Sequence, residues 1–143
     1  MAKFKAPKPG KPNAKFSPPS IDKEGSHKEL VKFSFKYLTV DNPAYSFNKK
    51  DSAYFIKFLE RVSLVCKMKC SELQYPTLKA LRNHYIKWED TTQTSFGLPA
   101  EEQLVDKPFQ FGISANEHGR VVGFFIGSTF FIVWFDPDHN TYA

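Results

Sequence analysis

Four side chains in this sequence can transfer protons or hold a phosphate: His84, Arg120, His139 and Tyr142. Histidine titrates near neutral pH and can serve as an acid or as a base. A guanidinium such as that of Arg120, next to Gly119 at the start of a strand, can hold a phosphate through two hydrogen bonds. A tyrosine ring can stack on a nucleobase or move a proton. Together these residue types indicate acid–base chemistry at a phosphate.

Each of the four side chains also has a structural interpretation. His139 follows residues 136–138, Asp-Pro-Asp, and can be a solvated turn residue. Arg120 can form a surface ion pair with a nearby carboxylate. Tyr142 can be a packed ring near the end of the chain, and His84 can lie on a helix surface. The sequence leaves both interpretations open for every one of them.

Clusters of metal ligands are sparse. Asp136 and Asp138 carry oxygen ligands, but two carboxylates around a proline are typical of a turn that ends a strand. Cys66 and Cys70 stand four residues apart, without the second pair that a structural zinc site needs. We therefore predict reduced cysteines, no metal and no cofactor. No role is assigned to the two remaining histidines, His27 and His118.

The excess positive charge lies in the first 28 residues. The 143-residue chain has a formal net charge of +5, and residues 1–28 contain seven lysines, five prolines and two acidic residues. This composition predicts a disordered basic tail, either a solubilising extension or a polyanion anchor. Residues 29–143 are neutral and long enough for a single domain, so net charge does not predict that the folded part binds nucleic acid.

The sequence contains no segment that resembles a signal peptide or a membrane span. The N-terminus lacks an apolar stretch, and the apolar run 121–135 is short and interrupted by glycine and serine. We expect a soluble, cytoplasmic protein with no membrane partner.

The elements that must position the candidate residues begin with a strand and a helix. Residues 31–37 alternate apolar and polar side chains with a period of two, which predicts a half-buried strand. Asp51 is a suitable N-cap for a following helix. That helix should pack on the sheet with one face, formed by Phe55, Phe58, Leu59, Val62 and Val65 or Cys66.

A second helical region and a long loop follow. Ser71 and Glu72 indicate a helix start, and Pro76 separates it from a segment in which Leu78, Leu81, Tyr85 and Trp88 recur at helical spacing. Residues 89–107 predict a long loop that can include one helical turn at 100–104.

The last third of the chain predicts three antiparallel strands. Residues 109–115, 120–126 and 129–135 are separated by two turns, of which Gly127-Ser128 fits a type I′ or II′ hairpin. The predicted fold class is α+β, with an N-terminal strand, two or three helices and a C-terminal three-stranded antiparallel meander. The last two strands are apolar on both sides, so we expect Phe124 and Trp134 to be buried, with a partner or a second copy covering one face.

The order of these elements resembles the RelE/ParE superfamily of toxins from toxin–antitoxin systems. The C-terminal half, with Gly-Arg-Val-Val-Gly at 119–123 and Phe-Phe-Ile-Val-Trp-Phe-Asp-Pro-Asp-His-Asn-Thr-Tyr at 130–142, is similar to that of these toxins. In the RNA-cleaving members an arginine lies on a middle strand of the meander, and a histidine and a tyrosine lie at or beyond the last strand. The resemblance implies those positions for Arg120, His139 and Tyr142.

The resemblance implies a RelE-like toxin that cleaves mRNA without a metal, on free RNA or on the ribosome, and that an antitoxin protein neutralises. Such cleavage needs a base, a cation and an acid, and His84 is a further candidate for one of these roles. The superfamily also includes gyrase poisons that do not cleave RNA. The alternative is a non-catalytic interaction module or inhibitor from a mobile element that binds a protein or a nucleic acid. A neighbouring antitoxin gene would favour the toxin.

Overall fold

The structure is a computed structural model that describes residues 27–75, 79–115 and 117–142. The strands are β1 (Lys32–Ser34), β2 (His84–Tyr85), β3 (Pro108–Gly112), β4 (Arg120–Ile126) and β5 (Thr129–Asp136). The helices are α1 (Ser52–Val65), α2 (Cys70–Gln74) and α3 (Glu101–Leu104). Single 3₁₀ turns occur at Pro43–Tyr45, Lys79–Leu81 and Trp88–Asp90.

The five strands form one mixed sheet in the order β1-β5-β4-β3-β2. β1 runs parallel to β5, and all the other neighbours are antiparallel. The predicted α+β fold, with an N-terminal strand, helices and the C-terminal meander β3-β4-β5, is confirmed. In the β4–β5 turn Gly127 has a φ of 60°, whereas Ser128 has no positive φ, as in a type II′ turn.

The central helix α1 begins where the sequence predicts it. The carboxylate of Asp51 accepts a hydrogen bond from the amide of Tyr54 at 3.3 Å and caps the helix. Its buried side chains are Tyr54, Phe58 and Val65, which pack in the core under the sheet. The prediction that Leu59 faces the sheet is wrong, because its side chain is 62% exposed.

The chain itself covers both faces of the sheet. α1 and α2 lie on one face, and on the other a second apolar cluster holds Phe124 and Trp134, which are almost fully buried as predicted. The Tyr45 ring stacks on Trp134 with centroids 4.1 Å apart, and Phe96 packs edge-on at 5.0 Å. Burial of this face therefore does not require the partner or second copy expected from the sequence, and binding of a partner stays a prediction. The segments around residue 45 and from 86 to 105 supply the cover.

The helix expected between Leu78 and Trp88 is absent from the described part of that segment. Leu81 ends a 3₁₀ turn, Tyr85 lies in β2 and Trp88 begins another 3₁₀ turn. Arg82 has a φ of 52°, a left-handed conformation that breaks a right-handed helix. The predicted helical turn near residue 100 does occur, as α3.

A bulge in β5 sets the alignment of the last two strands. Val122 pairs with Trp134 but Gly123 pairs with Ile132, which leaves Val133 as an extra residue. Val133 and Trp134 consequently pack in the same apolar cluster. Gly123 permits the close approach of the strands, since a Cβ there would collide with the carbonyl oxygen of Phe131.

Residues 1–26 of the predicted tail lie outside the described residues, and the boundary of the domain stays a prediction. Glu29 already contacts the folded domain, because its carbonyl accepts a hydrogen bond from the amide of Cys70 in α2. None of the helices in the described ranges is both long and apolar enough to cross a bilayer.

Candidate functional site

A cavity of about 580 Å³ opens at the end of the sheet where β4 begins and β5 ends. All four candidates from the sequence, His84, Arg120, His139 and Tyr142, line it. The remaining lining residues are Arg82, Tyr85, Lys87, Asp90, Gln110 and Asp136. The structure thus brings the four candidates together, and their chemical roles stay predictions.

The register of the sheet explains this convergence. Arg120 in β4 lies opposite Asp136 in β5. His84 in β2 lies opposite Gln110 in β3, which in turn faces Val122 in β4. Side chains at directly opposed positions share a face, and so do residues two apart on a strand. Residues far apart in sequence therefore point toward one cavity.

Hydrogen bonds to the carboxylate of Asp136 hold the residues that follow β5 beside the cavity, and we call this arrangement the Asp136 clasp. The Asp136 carboxylate accepts hydrogen bonds from the Asn140 amide at 2.7 Å, and from the Thr141 amide and hydroxyl at 2.8 and 2.7 Å. The turn also contains His139 with a φ of 60°, a strained conformation for a residue other than glycine. The clasp thereby fixes the segment that carries both His139 and Tyr142.

Two arginines give the cavity its positive character. Burial, followed by the nearby positive charge of Arg82, lowers the pKa of Arg120, and the charge of Asp136 partly opposes this effect. Arg120 still stays protonated at neutral pH. It forms no ion pair within 4 Å among the described residues, so the surface ion pair considered from the sequence is not observed. Two like charges beside one cavity favour the binding of an anion between them.

The ring of His84 is held in one orientation. Its Nδ1 lies 2.8 Å from the carbonyl oxygen of Tyr85. A carbonyl can only accept, so Nδ1 carries the hydrogen, and in the neutral ring Nε2 is left as an acceptor. The His84 and Tyr142 rings lie 6.2 Å apart. A histidine with one fixed nitrogen and one available nitrogen is suited to proton transfer.

Gln110 is the cavity residue with an unmet hydrogen bond. The residue is only 3% exposed, and its amide Nε2 donates a long, 3.5 Å hydrogen bond to the carbonyl of Arg82. Its Oε1 is buried and has no hydrogen-bond partner among the described residues. A buried acceptor without a partner costs about 1–3 kcal/mol. Such a cost at a cavity wall is a signal of function.

The sequence alone does not identify three of the cavity residues, which are Arg82, Lys87 and Gln110. Their contribution depends on the pairing of β2 with β3, and no pattern in the sequence predicts a two-residue strand. Arg82 was visible only as a cation next to His84. The positive φ that turns it toward the cavity has no signature in the residue type.

The other chemistry-bearing residues do not form a second centre. Ser114 accepts hydrogen bonds from two amides of its turn and contacts Nδ1 of His118 at 2.9 Å. Asp138 forms an ion pair with Lys50 at 3.5 Å. Cys66 and Cys70 are both free thiols. Within the described ranges no group of three or more metal-ligating side chains occurs.

The fold and the cavity define an α+β protein with a mixed five-stranded sheet and a cationic, histidine-containing pocket at one end of it. Comparison with protein-family models, with curated proteins and with solved structures finds no match for this chain. Its function is therefore inferred from the pocket itself.

Proposed function

We propose that this protein is an endoribonuclease of the RelE-like toxin type that cleaves mRNA without a metal. The observation that supports the proposal is the shared cavity, in which two arginines meet two histidines and a tyrosine. This combination provides a cation for phosphate, two imidazoles for proton transfer, and a ring that can stack on a nucleobase.

In the proposed reaction one histidine removes the proton from a ribose 2′-hydroxyl, and the 2′-oxygen attacks the adjacent phosphorus. Arg120 and Arg82 stabilise the negative charge that develops on the non-bridging oxygens. The bond from phosphorus to the 5′-oxygen breaks, and the other histidine donates a proton to that oxygen. The products are a 2′,3′-cyclic phosphate and a 5′-hydroxyl. In this proposal His139, on the exposed turn, donates the proton to the leaving group, and the Tyr142 ring stacks on a nucleobase.

The direct test is RNA cleavage by the purified full chain in the presence of a chelator, with free RNA and with mRNA on ribosomes. Arg120→Ala and His139→Ala should each lower the cleavage rate about 10²–10³-fold, which corresponds to about 3–4 kcal/mol of transition-state stabilisation. Both should remain folded, because neither is a buried apolar side chain. Arg61→Ala and His27→Ala are matched controls, because neither residue lines the cavity. Absence of cleavage in both settings would refute the proposal.

We further propose that a small antitoxin protein neutralises this activity. Ile56 and Leu59, one turn apart on α1, expose more than half of their side chains, and exposed apolar neighbours are a feature of protein-binding surfaces. The same surface supports the alternative function, a non-catalytic module that holds a protein partner. Induced expression distinguishes the two: growth arrest that His139→Ala relieves supports the toxin, and arrest that persists with this variant supports a binding module.

A further inference from the structure

Two neighbouring groups of the cavity are hydrogen-bond acceptors to which no described residue donates. One is Nε2 of His84, left free because Nδ1 is bound to the Tyr85 carbonyl. The other is Oε1 of Gln110, which has no partner. His84 and Gln110 are directly opposed residues of β2 and β3 and lie on the same face. Cβ atoms in such pairs are about 4.5–5.5 Å apart, so one small group can contact both side chains.

The charges beside these acceptors restrict what that small group can be. Arg82 lies two residues before His84, its carbonyl binds the Gln110 amide, and its charge acts on Arg120. A ligand that satisfies the whole site must present a hydroxyl or amino hydrogen next to an anion. In a nucleic acid the group that meets this description closest to the phosphate is the ribose 2′-hydroxyl, which DNA lacks.

We propose that His84 and Gln110 form a subsite for the ribose 2′-hydroxyl of the scissile nucleotide, with Nε2 of His84 as the atom that removes its proton. The assignment rests on the proposed function and adds to it the identity of the base and the basis for choosing RNA over DNA. His139 is then the acid that protonates the leaving 5′-oxygen.

Gln110 must turn slightly to take part. Its Oε1 is buried, but the 3.5 Å hydrogen bond that holds the amide is at the limit of useful length. The terminal torsion of a glutamine has a broad energy profile. A hydroxyl bound at Nε2 of His84 therefore draws Oε1 into a hydrogen bond that no described residue gives it.

Binding is measured first, in the full chain with His139→Ala, in which cleavage should be slow enough for bound RNA to stay intact during the measurement. The probes are a single-stranded oligoribonucleotide and the same sequence with 2′-fluoro sugars, which keep an RNA-like pucker but have no 2′ hydrogen to donate. We expect the ribo form to bind about tenfold more tightly, equivalent to 1.4 kcal/mol. Adding Gln110→Met or His84→Asn should remove most of this preference, and adding Gln103→Met, on the exposed surface, should keep it.

Cleavage by the histidine variants separates hydrogen bonding from proton transfer. Asparagine can still donate to the Tyr85 carbonyl, as Nδ1 of His84 does, but has no atom at the Nε2 position. Glutamine reaches the Nε2 position with an amide oxygen that accepts but cannot take up a proton. In the binding assay, His84→Gln should therefore still bind the oligoribonucleotide somewhat more tightly than the 2′-fluoro probe. In an otherwise wild-type chain, both His84→Asn and His84→Gln should lose at least about 100-fold in cleavage rate.

Equal affinity for the two probes, or a preference that neither Gln110→Met nor His84→Asn reduces, would overturn the subsite even if the wild type cleaves RNA. Conversely, if the wild type fails to cleave but the preference depends on both residues, the proposed nuclease is wrong and the ribose subsite stands. If neither probe binds, both proposals fall. Thermal unfolding of each variant checks that it is folded. If Gln110→Met does not fold, the effect of His84→Asn on the binding preference tests the subsite by itself.

Discussion

The clasp of Asp136 offers the sharpest test of how the site is held. Asp136 and Thr141 are each 1% exposed, and the carboxylate accepts three hydrogen bonds of 2.7–2.8 Å. Asp136→Ala leaves the amide and the hydroxyl of Thr141 buried without a partner, at about 1–3 kcal/mol for each group. The substitution also removes the buried Asp136 charge, and the loss of its desolvation penalty offsets part of this destabilisation. We expect a net loss of about 3 kcal/mol in the free energy of unfolding.

Urea denaturation measures this loss. With a slope of about 2 kcal/mol per molar urea, typical for a small domain, the midpoint should fall by about 1.5 M. Thr141→Val removes only the hydroxyl bond and should cost about 1 kcal/mol. Because both changes remove that same bond, the double variant should cost less than the sum of the two.

A loss below about 0.5 kcal/mol for Asp136→Ala would refute the clasp, since substitutions at inconsequential surface positions have effects of that size. A second readout concerns the site. At a temperature where the variant is fully folded, its RNA cleavage should still fall, because His139 and Tyr142 are no longer held over the cavity. Full activity in a folded variant would show that the turn is positioned by other contacts.

Three further predictions concern the fold. Gly123→Ala should lower the free energy of unfolding by at least about 3 kcal/mol in urea denaturation, because the added Cβ collides with the backbone. Gly97 is the matched control, because it has open space around it but a φ of 78°. Gly97→Ala should therefore lower the free energy of unfolding by only about 1–2 kcal/mol. Burial, followed by the charges of Asp136 and Asp138, raises the pKa of Tyr54 above its ordinary value of 10.0. The unfolded chain therefore loses this proton first, and the resulting stability is complete below about pH 10 and declines above it. Tyr54→Phe, which also removes a hydroxyl without a partner among the described residues, should flatten the fall in unfolding free energy above about pH 10, and an unchanged slope would contradict the assignment. Deletion of residues 1–26 should leave the thermal midpoint unchanged because of their tail-like composition, and a large fall would move the domain boundary toward the N-terminus.

The sequence predicted those parts of the fold in which local signals agree with tertiary structure. β4 has the predicted bounds, the Gly127-Ser128 turn joins it to β5, and Asp51 caps α1. In each case a turn residue or a cap coincides with a change in the hydrophobic pattern. Such agreement is what makes a short stretch of sequence informative.

The region from 78 to 88 was predicted poorly because its pattern is ambiguous. Leu81, Tyr85 and Trp88 recur at helical spacing, but they are buried or half-exposed through separate contacts with the sheet rather than along one helix. The loop predicted at 89–107, with one helical turn, is observed, but the sequence did not predict that its Phe96 is buried against Trp134. Isolated apolar residues in an irregular segment have no period, so only the tertiary structure shows that they form a core.

For the site, the sequence supplied residue types and the sheet supplied proximity. His84, Arg120, His139 and Tyr142 were identified by chemistry or by resemblance, and their shared cavity follows from strand register. Gln110 could not be identified in advance, because an unpartnered amide becomes visible only when all its neighbours are known.

The extra residue in β5 makes the site sensitive to chain length as well as to residue identity. Side chains alternate between faces along a strand, and the bulge at Val133 advances that alternation by one position. If the same residues alternated regularly, without the bulge, Asp136 would lie on the helix-covered side, away from Arg120. Deletion of Val133 itself would leave Asp136 opposite Arg120, because it removes only the extra residue. The face on which Asp136 lies is therefore set by the number of residues between Ile132 and Trp134, and not by residue type alone.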